Sequence, residues 1–226
     1  MSKFLQKVLS VTHWTDTLFS FQIERPKDFK FKSGEFVMIG LPDSEKPILR
    51  AYSICSPSWD EKLEFYSIIV ENGPLTSKLK NIKINDEIIL MSKSTGTLIL
   101  DALKPAKRLF LFSTGTGFAP FSSIVRDPET YDKFDKIIVT HTCRFKNELD
   151  YSKKIINKCL KDELLKSFIK KKLIYYTTTT QDITEYNGRI TNKIKDKSFY
   201  NDLKLTDLNF SNDCVMICGS LDFNNE

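Results

Sequence analysis

Glycine and proline are scarce in this chain, eight of each in 226 residues. That scarcity excludes collagen-like and low-complexity classes. Hydrophobic residues at 41% and charged residues at 28% leave a globular protein with apolar material for one large core or two modest ones. Histidine is scarcer still. His13 and His141 have no partner at metal-ligand or triad spacing, so both read as structural or surface residues. The five cysteines (Cys55, Cys143, Cys159, Cys214, Cys218) are scattered, with no C-x-x-C pair. Zinc and iron–sulfur centres therefore have no ligand set, and no metal is expected. Free thiols in a reducing compartment fit this pattern. Long apolar runs are also missing. The opening MSKFLQKVLSVTHW is broken by Gln6, Lys7 and His13, too short and too polar for a signal peptide or a membrane span, so the expected location is the cytoplasm.

Nor is there a strong charge excess. Lysine and arginine total 34 against 29 acids, a net charge of +5, with both signs mixed through the chain. This argues against a nucleic-acid binder. One stretch is uneven: Lys146–Lys172 holds nine lysines against Glu148, Asp150, Asp162 and Glu163. It reads either as a solvated helical face or as a docking surface for an acidic partner.

The first hundred residues are patterned as strands. Short alternating or apolar runs occupy Thr17–Glu24, Phe36–Leu41, Tyr52–Cys55, Leu63–Val70 and Glu87–Met91. Turn signals separate them at Arg25-Pro26, Ser33-Gly34, Pro42-Asp43, Ser56-Pro57, Asn72-Gly73-Pro74 and Asn85-Asp86. Strands at this spacing predict a closed antiparallel barrel. A short helix is expected after Pro74, with Leu75, Leu79 and Ile82 on one face. Near residue 102 the pattern changes. Arg108–Ser113, Ile137–Thr140, Leu173–Tyr176 and Val215–Cys218 read as buried strands, and Glu148–Leu165 as a helix. Strand alternating with helix predicts a parallel sheet with right-handed crossovers. The boundary falls in Leu103–Lys107, where Pro105 breaks the chain, giving domains 1–103 and 104–226.

Two segments carry chemistry. In Ser113-Thr114-Gly115-Thr116-Gly117-Phe118-Ala119-Pro120 a buried strand ends, two glycines permit a tight turn, and a helix is expected to start at Pro120, where a missing N–H costs nothing. A helix start of this kind offers backbone N–H groups to a pyrophosphate. Pro120 stands where the full dinucleotide fingerprint has its third glycine, so by itself the segment reads equally as a tight turn. In Arg50-Ala51-Tyr52-Ser53, arginine can fork two phosphate oxygens, and tyrosine two residues on shares its strand face. Alone, this too is an ordinary strand.

Their combination, a barrel carrying RAYS followed by a sheet opening on GTGFAP and closing on Cys218-Gly219-Ser220, resembles the ferredoxin/flavodoxin–NADP reductases of bacteria. The resemblance runs from Phe4 to Ser220 through RAYSICSP, LEFYSIIVENGPLTSKL, STGTGFAPFSSIVRDPE, KLIYYTTTT, NGRIT and MICGS. It implies an antiparallel FAD-binding barrel followed by a parallel-sheet NADP-binding domain. It further implies hydride transfer from NADPH to FAD and single-electron delivery to ferredoxin or flavodoxin by a monomer. By position, Arg50 would hold the FAD pyrophosphate, Ala51 beside it in the chain would be among the cofactor-binding residues, Tyr52 would stack on the flavin or ribityl, and Ser53 would hydrogen-bond near the reactive flavin nitrogen. Ser67, Ile69 and Val70 would lie along the cofactor, and Gly73, Leu75, Thr76 and Ser77 match a second phosphate-binding segment. Thr114, Gly115, Thr116, Gly117 and Pro120 would hold the pyrophosphate and nicotinamide half of NADP(H). Cys218 would orient the hydride-donating nicotinamide, making it, with Ser53, the catalytic pair.

Arg144 and Arg189 match arginines near the adenosine 2′-phosphate. Where relatives carry another arginine after KLIYYTTTT, this chain has Gln181, which implies a weaker preference for NADPH over NADH. The family also continues past Cys218-Gly219-Ser220 with a helix and a terminal segment near the flavin. This chain ends at Glu226, so the resemblance reads it as C-terminally short. Flavin reductases and oxygenase electron-transfer components share the fold and are alternatives. A truncated nucleotide-binding protein with little turnover is a third.

Overall fold

The computed structural model describes residues 2–42, 47–163 and 166–226. The chain forms two compact units, Met1–Ala102 with Ala119–Asp127, and Leu103–Phe118 with Pro128–Glu226. The first contains β1 (Lys3–His13), β2 (Leu18–Glu24), β3 (Phe36–Gly40), β4 (Arg50–Ser53), β5 (Lys62–Ile68), α1 (Thr76–Leu79) and β6 (Glu87–Thr95). The strands form one antiparallel sheet in the order β4-β3-β6-β1-β2-β5. The two edges approach one another where the Cys55 N–H, just past β4, donates to the Glu64 carbonyl of β5 at 2.8 Å. Alternate residues point inward, so Phe19, Phe21 and Ile23 of β2 meet Leu63 and Phe65 of β5 and Ile88 and Leu90 of β6 in one core.

β1 is the strand that the sequence pattern does not announce. Its alternation runs Phe4, Gln6, Val8 and then slips, with Val11 next toward the core. The β1–β2 register shifts between Val8 and Ser10, as a bulge produces. One extra residue flips the parity of everything beyond it, so no period-two run survives. The Asp43 half of the Pro42-Asp43 turn signal lies outside the described residues.

Residues 119–127 group with this sheet through polar contacts. Buried Arg126 pairs with Glu64 at 3.0 Å. Ser123 donates to the Ser56 carbonyl at 2.7 Å, and Ser33 to the Asp127 carboxylate at 2.6 Å.

The second unit is built on β7 (Arg108–Thr114), β8 (Lys136–Cys143), β9 (Leu173–Thr179) and β10 (Asp213–Cys218), all parallel in the order β10-β7-β8-β9. The helices after α1 are α2 (Phe118–Ile124), α3 (Pro128–Lys133), α4 (Asp150–Lys161), α5 (Lys166–Lys172), α6 (Ile190–Lys195), α7 (Ser198–Leu203) and α8 (Leu221–Asn225). One sheet face buries Phe110, Phe112, Ile138 and Tyr176 against Ile190 and Phe199 of α6 and α7. The other carries His141 and Tyr175, which meet Ser152 of α4. The helix expected over Glu148–Leu165 is a 3₁₀ turn, Lys146–Leu149, continued by α4, which stops at Lys161 because Asp162 is extended. Leu165 lies outside the described residues.

Pro120 is not the first helical residue. α2 begins at Phe118, so proline is third, still within the first turn, where its nitrogen owes no intrahelical hydrogen bond.

Candidate functional site

In the first unit the predicted residues gather on β4, β5 and the turn leading into α1. Arg50 and Ala51 are exposed, while Tyr52 and Ser53 are half-buried. Among the described residues the Arg50 guanidinium meets only the Leu49 carbonyl, at 2.9 Å, which leaves most of its five donors open. The Tyr52 ring stands edge-on to Phe65, with centroids 6.3 Å apart, and its hydroxyl lies 3.1 Å from the Ser67 hydroxyl. Burial raises the Tyr52 pKa, against the smaller opposing effect of Ser67, so the phenol stays neutral. Ser67 is buried on the inward stripe of β5. Ile69 is half-buried and Val70 exposed.

The turn beyond them is pinned by Thr76, whose hydroxyl accepts from the Val70 N–H at 3.2 Å and lies 3.3 Å from the Val70 carbonyl. Gly73 is required there, since a Cβ would come within 2.4 Å of the Thr76 hydroxyl. The Leu75 side chain is buried, so only its backbone can face a ligand. Ser77 is half-buried and its N–H donates to the Gly73 carbonyl at 3.1 Å. An open arginine fork on the same unit as a glycine-bounded helix start is a donor set suited to a pyrophosphate. These residues fit FAD.

In the second unit Thr114, Gly115, Thr116, Gly117, Arg144 and Cys218 lie at or just past the carboxyl ends of the strands, where ligands of parallel sheets bind, while Pro120 falls in the segment 119–127 that groups with the first unit. The Gly115–Gly117 turn follows β7 and runs directly into α2. Two glycines let it close on the end of β10. A Cβ on Gly117 would sit 2.1 Å from the Cys218 carbonyl oxygen, and one on Gly219 would sit 2.2 Å from the Thr114 hydroxyl. The Ser220 N–H donates to that hydroxyl at 3.4 Å. Gly115 has φ +50°, and a Cβ there would touch nothing, so glycine serves the dihedral alone. Cys218 is half-buried, and burial raises its pKa. A neutral thiol can pack and orient but is a poor nucleophile. Pro120 is buried.

Arg144 and Gln181 follow β8 and β9, and the Gln181 N–H donates to the Arg144 carbonyl at 2.9 Å. Both side chains are exposed, and among the described residues the Arg144 guanidinium has no ion-pair partner. Arg189, just before α6, is exposed and pairs with Glu226. A cleft of about 460 Å³ beside Arg144 is lined by Phe145, Lys146, Asn147, Asp150 and Asp182. This strand-end cradle with adjacent arginines fits a phosphorylated dinucleotide.

The comparisons agree. The family model described as "Oxidoreductase FAD-binding domain" matches residues 4–98. The flavodoxin/ferredoxin–NADP reductase of Rhodobacter capsulatus is 52% identical over 97% of this chain and 82% of its own length. The chain belongs to the ferredoxin/flavodoxin–NADP reductase family. The ferredoxin–NADP reductase of Azotobacter vinelandii, another member, is 45% identical over 96% of this chain and 84% of its own length. A crystal structure of a ferredoxin NADP⁺ reductase from Neisseria gonorrhoeae with bound FAD and NADP superposes with a TM-score of 0.88 at 27% identity. That match covers 98% of this chain and 87% of the other.

What sequence reading missed in this reductase is the layer beneath the GTG turn. His141 had no partner at a recognisable spacing. In the fold it meets Gly115, 26 positions away, and Ser152, 11 away. Only the β8–α4 crossover brings these together, and spacing carries no trace of it.

Proposed function

We propose that this chain is a reductase that draws hydride equivalents from NADPH and delivers single electrons to ferredoxin or flavodoxin. The observation that carries the reading is the glycine-tight junction of the Thr114–Gly117 turn with Cys218–Gly219 at adjacent strand ends. FAD, when bound, supplies the exchange between two-electron and one-electron chemistry; the protein supplies binding, orientation and electrostatics.

Residues 1–103 hold FAD in this reading, and residues 104–226 hold NADP(H). Arg50 forks the FAD pyrophosphate and Ala51 lies beside it. Tyr52 presents its ring to the flavin with its hydroxyl anchored on Ser67. Ser53 offers a hydroxyl to the reactive nitrogen. Ile69 and Val70 line the cofactor, and Gly73, Leu75, Thr76 and Ser77 receive phosphate through backbone and hydroxyl groups. Thr114, Gly115, Thr116 and Gly117 cradle the NADP(H) pyrophosphate, with Pro120 rigidifying the first turn behind them. Cys218 orients the nicotinamide, and Arg144 and Arg189 hold the 2′-phosphate, for which a planar, permanently charged group is well suited.

The acceptors are acidic electron-transfer proteins, and the lysine-rich Lys146–Lys172 stretch speeds their encounter. In this reading the protein acts as a cytoplasmic monomer; among the described residues no helix is long and apolar enough to cross a membrane. The test is NADPH-driven ferredoxin reduction at low and high salt. A rate that falls with salt supports the full reading. A salt-insensitive rate removes the electrostatic part, and no reduction refutes the function.

A further inference from the structure

Beneath the coenzyme turn lies a polar chain, buried at His141 and Ser152 and half-buried at Tyr175, that no part of the proposed chemistry uses. The His141 Nε2 is 2.8 Å from the Gly115 carbonyl. A carbonyl only accepts, so Nε2 carries the proton. Nδ1 is then an acceptor, and the Ser152 hydroxyl donates to it at 2.7 Å. The Tyr175 hydroxyl, 2.6 Å from Ser152 Oγ, completes the chain as donor. The Leu149 carbonyl, 2.9 Å from Ser152 Oγ, is the competing acceptor for the serine proton. Burial depresses the His141 pKa to about 4, so the ring is neutral at physiological pH.

The imidazole grips the turn at two points. Its edge bonds Gly115, and its face stacks on Phe118, with centroids 5.1 Å apart. The Gly115 carbonyl also accepts from the Phe118 N–H, which closes the turn. The Cys143 thiol, 3.2 Å from the His141 Nε2, also bonds the Gly115 backbone, so three donors converge on this carbonyl. Among the described residues no peptide bond is cis. In a trans peptide the carbonyl and the next N–H point in opposite directions. Holding the Gly115 carbonyl against a buried ring therefore aims the Thr116 N–H away from the core. Gly115 itself adopts a positive φ of 50°.

We infer that His141, backed by Ser152 and Tyr175, is a positioning residue that presents the Thr116 N–H to the diphosphate of the coenzyme. The inference deepens the proposed function and rests on its assignment of the Thr114–Gly117 turn to the pyrophosphate.

The experiment compares binding of NADP⁺ with binding of 2′-AMP, which keeps the adenosine 2′-phosphate and lacks the diphosphate. The proteins are the full wild-type chain and the variants H141F, H141Q, S152A and Y175F. H141F retains a stacking ring without the donor, and is expected to weaken NADP⁺ and raise the KM for NADPH by about tenfold, the scale of one lost hydrogen bond. Its 2′-AMP affinity and its kcat at saturating NADPH should stay within about twofold of wild type, where that hydrogen bond plays no part. H141Q places an amide N–H near the Nε2 position and should recover most of the NADP⁺ affinity. S152A and Y175F leave the histidine in place and should each cost NADP⁺ about threefold, a fraction of one hydrogen bond, which keeps the inference testable if H141F does not fold. Equal weakening of both ligands, or unchanged NADP⁺ binding across folded variants, would overturn the inference alone. A wild-type protein that binds neither ligand would overturn the proposed function, and this inference with it.

Discussion

Acid should loosen the second unit through one ring. The His141 side chain is fully buried, and its pKa is held near 4 against a reference of 6.5, chiefly by desolvation, with the Gly115 carbonyl opposing in part. In the unfolded chain the ring takes a proton near the reference value. Between the two pKa values the unfolded state therefore binds more protons than the folded state, so stability falls as pH falls. Above 6.5 both forms are neutral and the full contribution is present; below 4 both are charged and the loss levels off. A gap of that size corresponds to about 3 kcal/mol at 1.36 kcal/mol per unit. The neighbouring groups do not interfere. Burial raises the pKa values of Cys143 and Tyr175, which stay protonated throughout this window. Denaturant unfolding of wild type and H141Q should be followed from pH 7 to pH 4.5. The wild-type advantage should shrink by roughly 2–3 kcal/mol over that range, because carboxylates common to both proteins cancel. Parallel curves would refute the assignment of a neutral, buried His141.

Three further outcomes follow from the geometry. G117A would force a Cβ to within 2.1 Å of the Cys218 carbonyl oxygen, so NADP⁺ affinity by calorimetry should fall by about tenfold or more while FAD is retained. R50A removes the open guanidinium fork, and FAD should dissociate at about tenfold lower dilution in gel filtration, as for a lost charge-assisted hydrogen bond. Q181R adds a cation beside Arg144 and should raise the ratio of kcat/KM for NADPH over NADH by about tenfold, read from steady-state rates with each coenzyme.

Much of this fold was legible because buried strands are continuous apolar runs. RLFLFS, Ile137–Thr140 and the run before Cys218 could be placed by eye. β1 was not, because the bulge after Val8 breaks its alternation. The short helices α3, α6 and α7, at six residues each, hold too few turns to display a 3.6-residue period. The cofactor segments were legible as an ordered set, although RAYS and GTGFAP are each ambiguous alone. What stayed hidden was long-range polar pairing. Arg126 with Glu64 is one case, and the His141–Gly115 contact is another. Such pairs depend on which elements the topology brings together, and one-dimensional spacing does not encode that.

The central claim is that this chain moves reducing equivalents from NADPH to bound FAD. Mixing the FAD-loaded protein with NADPH in an anaerobic stopped-flow cell tests it most directly. The account predicts rapid loss of the oxidised-flavin absorbance, slowed in G117A. A flavin that stays oxidised in the wild-type protein at saturating NADPH would contradict it.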